Sequence, residues 1–156
     1  MNLNSLLGSP RKLAQLRWEV ANIQAFLDHF DRPLNGESRT VQLGQTAEFL
    51  TVRNFPLPDG YRPDYIDLLV VTDNFPATPP IGLYVLHRNN QALIGQLQRR
   101  FNAFADQAFH EAPPIRDYTW ICYHYGGNAW RYRADQPARG DNIRKFLASW
   151  FAESNQ

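Results

Sequence analysis

The chain has 156 residues, 44% hydrophobic and 20% charged, with a formal charge of +1. That length suits one domain with a buried core, and near-neutrality gives no electrostatic reason to expect nucleic acid or an anionic membrane as partner. Its only cysteine, Cys122, excludes an intramolecular disulfide and with it any requirement for an oxidising compartment. No apolar run approaches the roughly 18 residues of a membrane span, and residues Met1 to Gly8 lack the basic and apolar regions of a secretory signal. The expectation is a cytoplasmic protein, one domain over 9–156 behind a flexible stretch at 1–8. Of the 16 basic residues, 14 are arginine, leaving only Lys12 and Lys145. Genomic base composition is one explanation. The other is that an enzyme carrying an activated acyl group gains by offering few amines of its own.

In chain order, Ser9-Pro10 reads as an N-cap followed by proline at the first helical position. Leu13, Leu16, Val20, Ile23, Leu27 and Phe30 continue as a helical stripe, expected to end near Asp31-Arg32-Pro33. After the Asn35-Gly36 turn come two β-prone runs, Arg39 to Leu43 and Ala47 to Asn54. The run Tyr65 to Thr72 is almost continuously apolar, as in a central strand. Ile81 to Leu86 completes a four-stranded antiparallel meander. Helical spacing returns from Asn90 to Ala105 at Leu93, Leu97, Phe101 and Phe104. Tyr118 to Tyr125 reads as an extended, aromatic segment, and Gly140-Asp141 as the cap of a last helix carrying Ile143, Phe146, Leu147 and Trp150. The order predicts an α+β fold with helices packed on an antiparallel sheet.

The chemistry concentrates around Cys122. A thiol is nucleophilic as thiolate and leaves readily, so it can accept an acyl group and pass it on. It sits in Trp120-Ile121-Cys122-Tyr123-His124-Tyr125-Gly126-Gly127-Asn128-Ala129-Trp130. In a flat strand, residues two apart share a face with Cβ atoms about 7 Å apart, too far for direct contact of short side chains. The Gly126-Gly127 turn is then the expected means of bringing His124 close. There His124 would orient an acyl carbonyl, donate to its oxyanion or take a proton from an incoming amine. The plain alternatives are a buried, inert cysteine and an imidazole satisfied by a backbone carbonyl.

Phe75-Pro76-Ala77-Thr78-Pro79-Pro80, followed by Cys122 and by Trp130 eight residues later, resembles the ubiquitin-conjugating enzyme family. The resemblance implies a UBC-like fold: N-terminal helix, four-stranded meander, aromatic-Pro-x-x-Pro-Pro motif, extended catalytic segment and C-terminal helix. It implies a transferase that holds a ubiquitin-like modifier as a thioester on Cys122 and passes it to a target amine without a cofactor or metal. Its partners would be the modifier, an adenylating activating enzyme and a protein target, with no nucleic acid and no membrane. Three features depart from the common pattern. No His-Pro-Asn triplet precedes the cysteine, 42 positions separate Pro80 from Cys122, and Cys-x-His follows the nucleophile. These are similar to divergent bacterial branches associated with antiphage defence.

By the same resemblance, Asn128 and His110 are candidates to replace the missing triplet, Trp130 is a supporting residue, and Arg11, Lys12 and Arg17 are candidate contacts for the activating enzyme. Their plain alternatives are turn chemistry, a loop histidine, a core tryptophan and a solvated helix face. Two other functions stay open: a non-catalytic module of the same fold that binds a modifier or partner, and a Cys-His hydrolase on another fold. Phosphate-loop, dinucleotide, nucleophile-elbow and zinc-protease motifs are absent from the sequence.

Overall fold

The computed structural model describes residues 9–31, 36–45, 47–105, 114–125 and 129–155. Helix α1 (Pro10–Leu27) starts where the sequence signals it: extended Ser9 accepts from the Lys12 N–H, and Pro10 takes the first helical position. It stops earlier than expected. Asp28 caps it, and His29 and Phe30 close a tighter turn by donating to the Phe26 and Leu27 carbonyls. Phe30 leaves the helix yet keeps its apolar role, edge-on to Phe26 and Phe151 with centroids at 5.2 and 5.5 Å.

Six strands follow: β1 (Thr40–Leu43), β2 (Phe49–Pro56), β3 (Tyr65–Val71), β4 (Gly82–Leu86), β5 (Ala103–Ala105) and β6 (Tyr118–Cys122). They form one sheet in the order β1-β2-β3-β4-β6-β5, every neighbour antiparallel. The α+β class stands, but the expected count of four strands is too small. The first four form the meander; the segment read as extended is a full strand, paired with β4 from Gly82–Cys122 to Leu86–Tyr118. The helix expected over 90–105 is also corrected. Helix α2 (Gln91–Gln98) ends at Gln98, and the chain returns as β5 along the free edge of β6. An unpaired strand edge leaves backbone donors and acceptors to be satisfied; here the Cys122 N–H donates to the Asn102 carbonyl at 2.8 Å.

Helix α3 (Ile143–Ser154) is capped by Asn142, not by Gly140-Asp141. The Asn142 side chain accepts from the Lys145 N–H at 2.9 Å and donates to the Pro137 carbonyl.

The pleat divides the sheet's side chains by face. Val41, Leu50, Val52, Ile66, Leu68, Val70, Leu83, Val85 and Ile121 point inward. They pack on Leu16, Ile23 and Leu27 of α1, Leu93 and Leu97 of α2, and Ile143, Phe146, Leu147 and Trp150 of α3. On the outer face Leu69, Val71, Tyr84, Tyr118, Trp120 and Cys122 gather in a separate, smaller cluster. All three described α-helices therefore cover one face. No described helix is long and apolar enough to cross a membrane.

Candidate active site

Strand β6 ends at Cys122, but its alternation runs on. Ile121, Tyr123 and Tyr125 turn toward the helix-covered core, and Cys122 belongs to the outer cluster. His124 follows Cys122 on the outer side, and its Nε2 lies 3.4 Å from the Cys122 sulfur. The expected bend at Gly126-Gly127 lies outside the described residues. A cysteine side chain is short, but the imidazole meets it with its far nitrogen, Nε2, which gives the contact its reach. Cys122 is half-buried and His124 exposed.

The alternate residues anchor this segment from behind. The hydroxyls of Tyr123 and Ser149 are hydrogen-bonded, and the Tyr123 ring packs on Phe146 and Phe101 with centroids at 5.5 and 6.1 Å. Tyr125 donates to Asp141 Oδ1 at 3.1 Å and stacks edge-on against Phe146 and Trp130. Asp141 Oδ2 in turn accepts from the Arg131 N–H at 2.6 Å, and the Asp141 N–H donates to the Arg131 carbonyl at 2.8 Å. Asp141 thereby ties both sides of the loop after Cys122 to the start of α3.

Facing Cys122 across the ladder is Gly82, with φ of +143°. A Cβ there would enter the Trp120 indole nitrogen and the Ile121 carbonyl oxygen. The missing side chain lets the Trp120 indole lie close over β4, beside the thiol. Burial pushes the Cys122 thiol above its ordinary pKa, so at neutral pH the sulfur is held mainly as thiol. In the tautomer whose Nε2 carries no proton, His124 offers that proton an acceptor when the sulfur attacks.

The proline motif meets the post-cysteine segment: the Trp130 indole N–H donates to the Pro76 carbonyl at 2.9 Å, and Phe75 packs edge-on against Tyr132 at 5.2 Å. Val71, Asp73, Asn74, Phe75, Thr78, Pro79, Pro80 and Ile81 border a hollow of about 50 Å³. Arg11 and Arg17 are exposed on α1. Lys12 is half-buried on the same helix, and its ammonium donates to the Asp73 carbonyl at 2.8 Å. His110 and Asn128 lie outside the described residues. A larger hollow, about 440 Å³ and lined by Asp59, Tyr61, Gln96, Arg99, Arg100 and Ser154, contains none of the expected site residues. Among the described residues no three His, Cys, Asp or Glu side chains converge as a metal site.

Sequence reasoning missed Gly82, Tyr125 and Asp141. A glycine inside a strand pattern signals close approach of another group, so Gly82 was detectable in principle. Asp141 carried no such signal, since its partners come from distant parts of the loop. Compared with protein-family models, curated proteins and solved structures, the chain matches none.

Proposed function

We propose that this protein is a conjugating transferase of the ubiquitin-conjugating type, in a bacterial, antiphage-defence-type system. One observation carries the reading: a partly exposed thiol on the sheet face opposite the described α-helices, 3.4 Å from the Nε2 of His124. The hydrogen bond from Trp130 to Pro76 adds support, because it joins the two sequence motifs that suggested this chemistry. The UBC-like form of the α+β fold is part of the same proposal.

In the first step the Cys122 sulfur attacks the modifier's C-terminal carbonyl, already held as a thioester by the activating enzyme. A new C–S bond forms, the enzyme's C–S bond breaks, and its thiolate leaves. The Cys122 proton passes to His124 and from there to solvent. In the second step a target amine attacks the new thioester, a C–N bond forms, and Cys122 departs as thiolate.

The test is a reductant-sensitive adduct between this protein and its modifier, formed in the presence of the activating enzyme and ATP. The adduct is expected with wild-type protein, lost in Cys122→Ala, and formed slowly as a hydroxylamine-sensitive oxyester in Cys122→Ser. Absence of any adduct with wild-type protein sinks the proposal. The rise in the thiol's pKa on burial favours one other reading, a non-catalytic module that binds modifier or partner. Full biological activity of Cys122→Ala is its signature.

A further inference from the structure

Among the described residues the His124 ring has one hydrogen-bond partner, the Cys122 sulfur. A base that takes a proton from a nucleophile ordinarily has a third group on its other nitrogen to fix its orientation. Here the chain on either side of His124 has to supply that restraint. On one side, the pairing of β6 with β4 ends at Gly82–Cys122. Beyond it, among the described residues, no backbone hydrogen bond holds His124 or Tyr125. The next fixed point is a side chain: the Tyr125 hydroxyl donates to Asp141 Oδ1 at 3.1 Å. Asp141 is itself tied down, since its Oδ2 accepts from the Arg131 N–H at 2.6 Å. Tyr123, on the other flank of His124, has its hydroxyl bonded to Ser149 of α3. The remaining charges facing these two tyrosines are Arg144 at Tyr125 and Glu153 at Tyr123, both on α3.

We infer that Tyr125, locked by Asp141, is the positioning residue that holds the His124 imidazole beside the Cys122 sulfur. This rests on the conjugating reading of Cys122 and names what keeps its proton acceptor in place. The Tyr125 ring also packs edge-on against Phe146 and Trp130. Ring packing of that kind lets a side chain slide, whereas a hydrogen bond to a tied carboxylate fixes both distance and direction. The imidazole follows the backbone that carries it, so a small shift at Tyr125 moves Nε2 out of reach of the sulfur. Burial, then the Asp141 carboxylate, push the Tyr125 pKa up. The hydroxyl therefore stays a donor wherever His124 changes its charge.

Alkylation of Cys122 by iodoacetamide, followed in full-length protein from acid to mildly alkaline pH, is the test. A C–S bond forms, the C–I bond breaks, iodide leaves, and the thiol proton passes to the neutral imidazole. In wild type the rate is expected to rise first as His124 loses its proton, below the pH at which the thiol ionises by itself. His124→Ala removes that limb and lowers the neutral-pH rate several-fold. Tyr125→Phe keeps the ring and deletes only the hydroxyl. It is expected to lose most of the same limb and to meet wild type at alkaline pH. Asp141→Asn, with one acceptor oxygen for two donors, is expected to follow it. Tyr61→Phe loses a buried hydroxyl bond elsewhere, to the Ser154 carbonyl, and is expected to keep the wild-type profile. A wild-type profile in Tyr125→Phe or in folded Asp141→Asn overturns the inference. So does an equal loss in Tyr61→Phe, which would reduce the effect to general loosening. An unchanged profile in His124→Ala overturns it as well, since there is then no acceptor to position. None of these results touches Cys122 as acyl carrier, which the adduct with the modifier decides. Absence of that adduct with the limb intact removes the conjugating reading and leaves Tyr125 in its role.

Discussion

Gly82 shows how much one absent atom sets. Its φ of +143° and its contact with the Trp120 indole leave no room for a side chain. Gly82→Ala is therefore expected to cost about 2–4 kcal/mol in urea unfolding and to change the alkylation rate of Cys122, its partner across the ladder. Unchanged stability and rate would show that β4 yields freely. Glu19 is a second such position. It is fully buried on α1, its Oε1 accepts from the Ile143 N–H at 2.7 Å, and its Oε2 has no hydrogen-bond partner among the described residues. Burial, partly offset by that hydrogen bond and by Arg144, pushes its pKa from 4.5 up to about 7. The folded state thus holds this proton more tightly than the unfolded state. Stability falls as pH rises from about 4.5 to about 7 and is level above that, a loss on the order of 3 kcal/mol. Glu19→Gln keeps an acceptor for Ile143 and is expected to abolish that slope, so that it exceeds wild type in stability at pH 8. Parallel pH profiles for the two proteins would refute the shift.

Among the elements, β1 is an edge strand whose outer backbone groups need partners. Gln24 on α1 supplies it: Nε2 donates to the Arg39 carbonyl at 2.9 Å, and Oε1 accepts from the Val41 N–H at 3.1 Å. The helix thus satisfies two backbone groups on the side of β1 turned away from β2. Gln24→Ala is expected to cost about 1–2 kcal/mol and to reduce hydrogen-exchange protection at the Val41 amide. Undiminished protection there would mean the edge does not depend on Gln24. The element boundaries also show where sequence reading reaches its limit. The start of α1 was legible because Ser9 and Pro10 act locally. The split of residues 90–105 into α2 and β5 was not, because what ends the helix is the open edge of β6, a strand about twenty residues further along. The bulge in β2 was equally hidden. There the register with β3 shifts between Val52 and Phe55, Asn54 takes a φ of +58°, and its N–H donates to Asp67.

At the scale of the molecule, α3 links the core to the candidate site. Phe146 is fully buried and touches both Tyr123 and Tyr125, the residues on either side of His124. Phe146→Ala is expected to cost about 3–5 kcal/mol and also to loosen the pairing of Cys122 with His124. Leu27→Ala, equally buried but on α1, costs about 2–5 kcal/mol without that connection. At a temperature where both variants remain folded, the yield of Cys122 adduct should fall in Phe146→Ala and hold in Leu27→Ala. Equal yields would reduce Phe146 to a core residue only.

The sequence by itself determined the α+β class, the first helix with its cap, the meander, and the residues Cys122 and His124 as the place to look. Those features depend on periodicity, capping and spacing, which act over a few residues and are visible locally. Only the tertiary structure decided that the cysteine segment is a strand inside the sheet, and that Gly82 and Asp141 shape its surroundings. Each of these is set by hydrogen bonds or packing between residues far apart in the chain, and no local pattern records which distant partner a backbone edge or buried carboxylate will find.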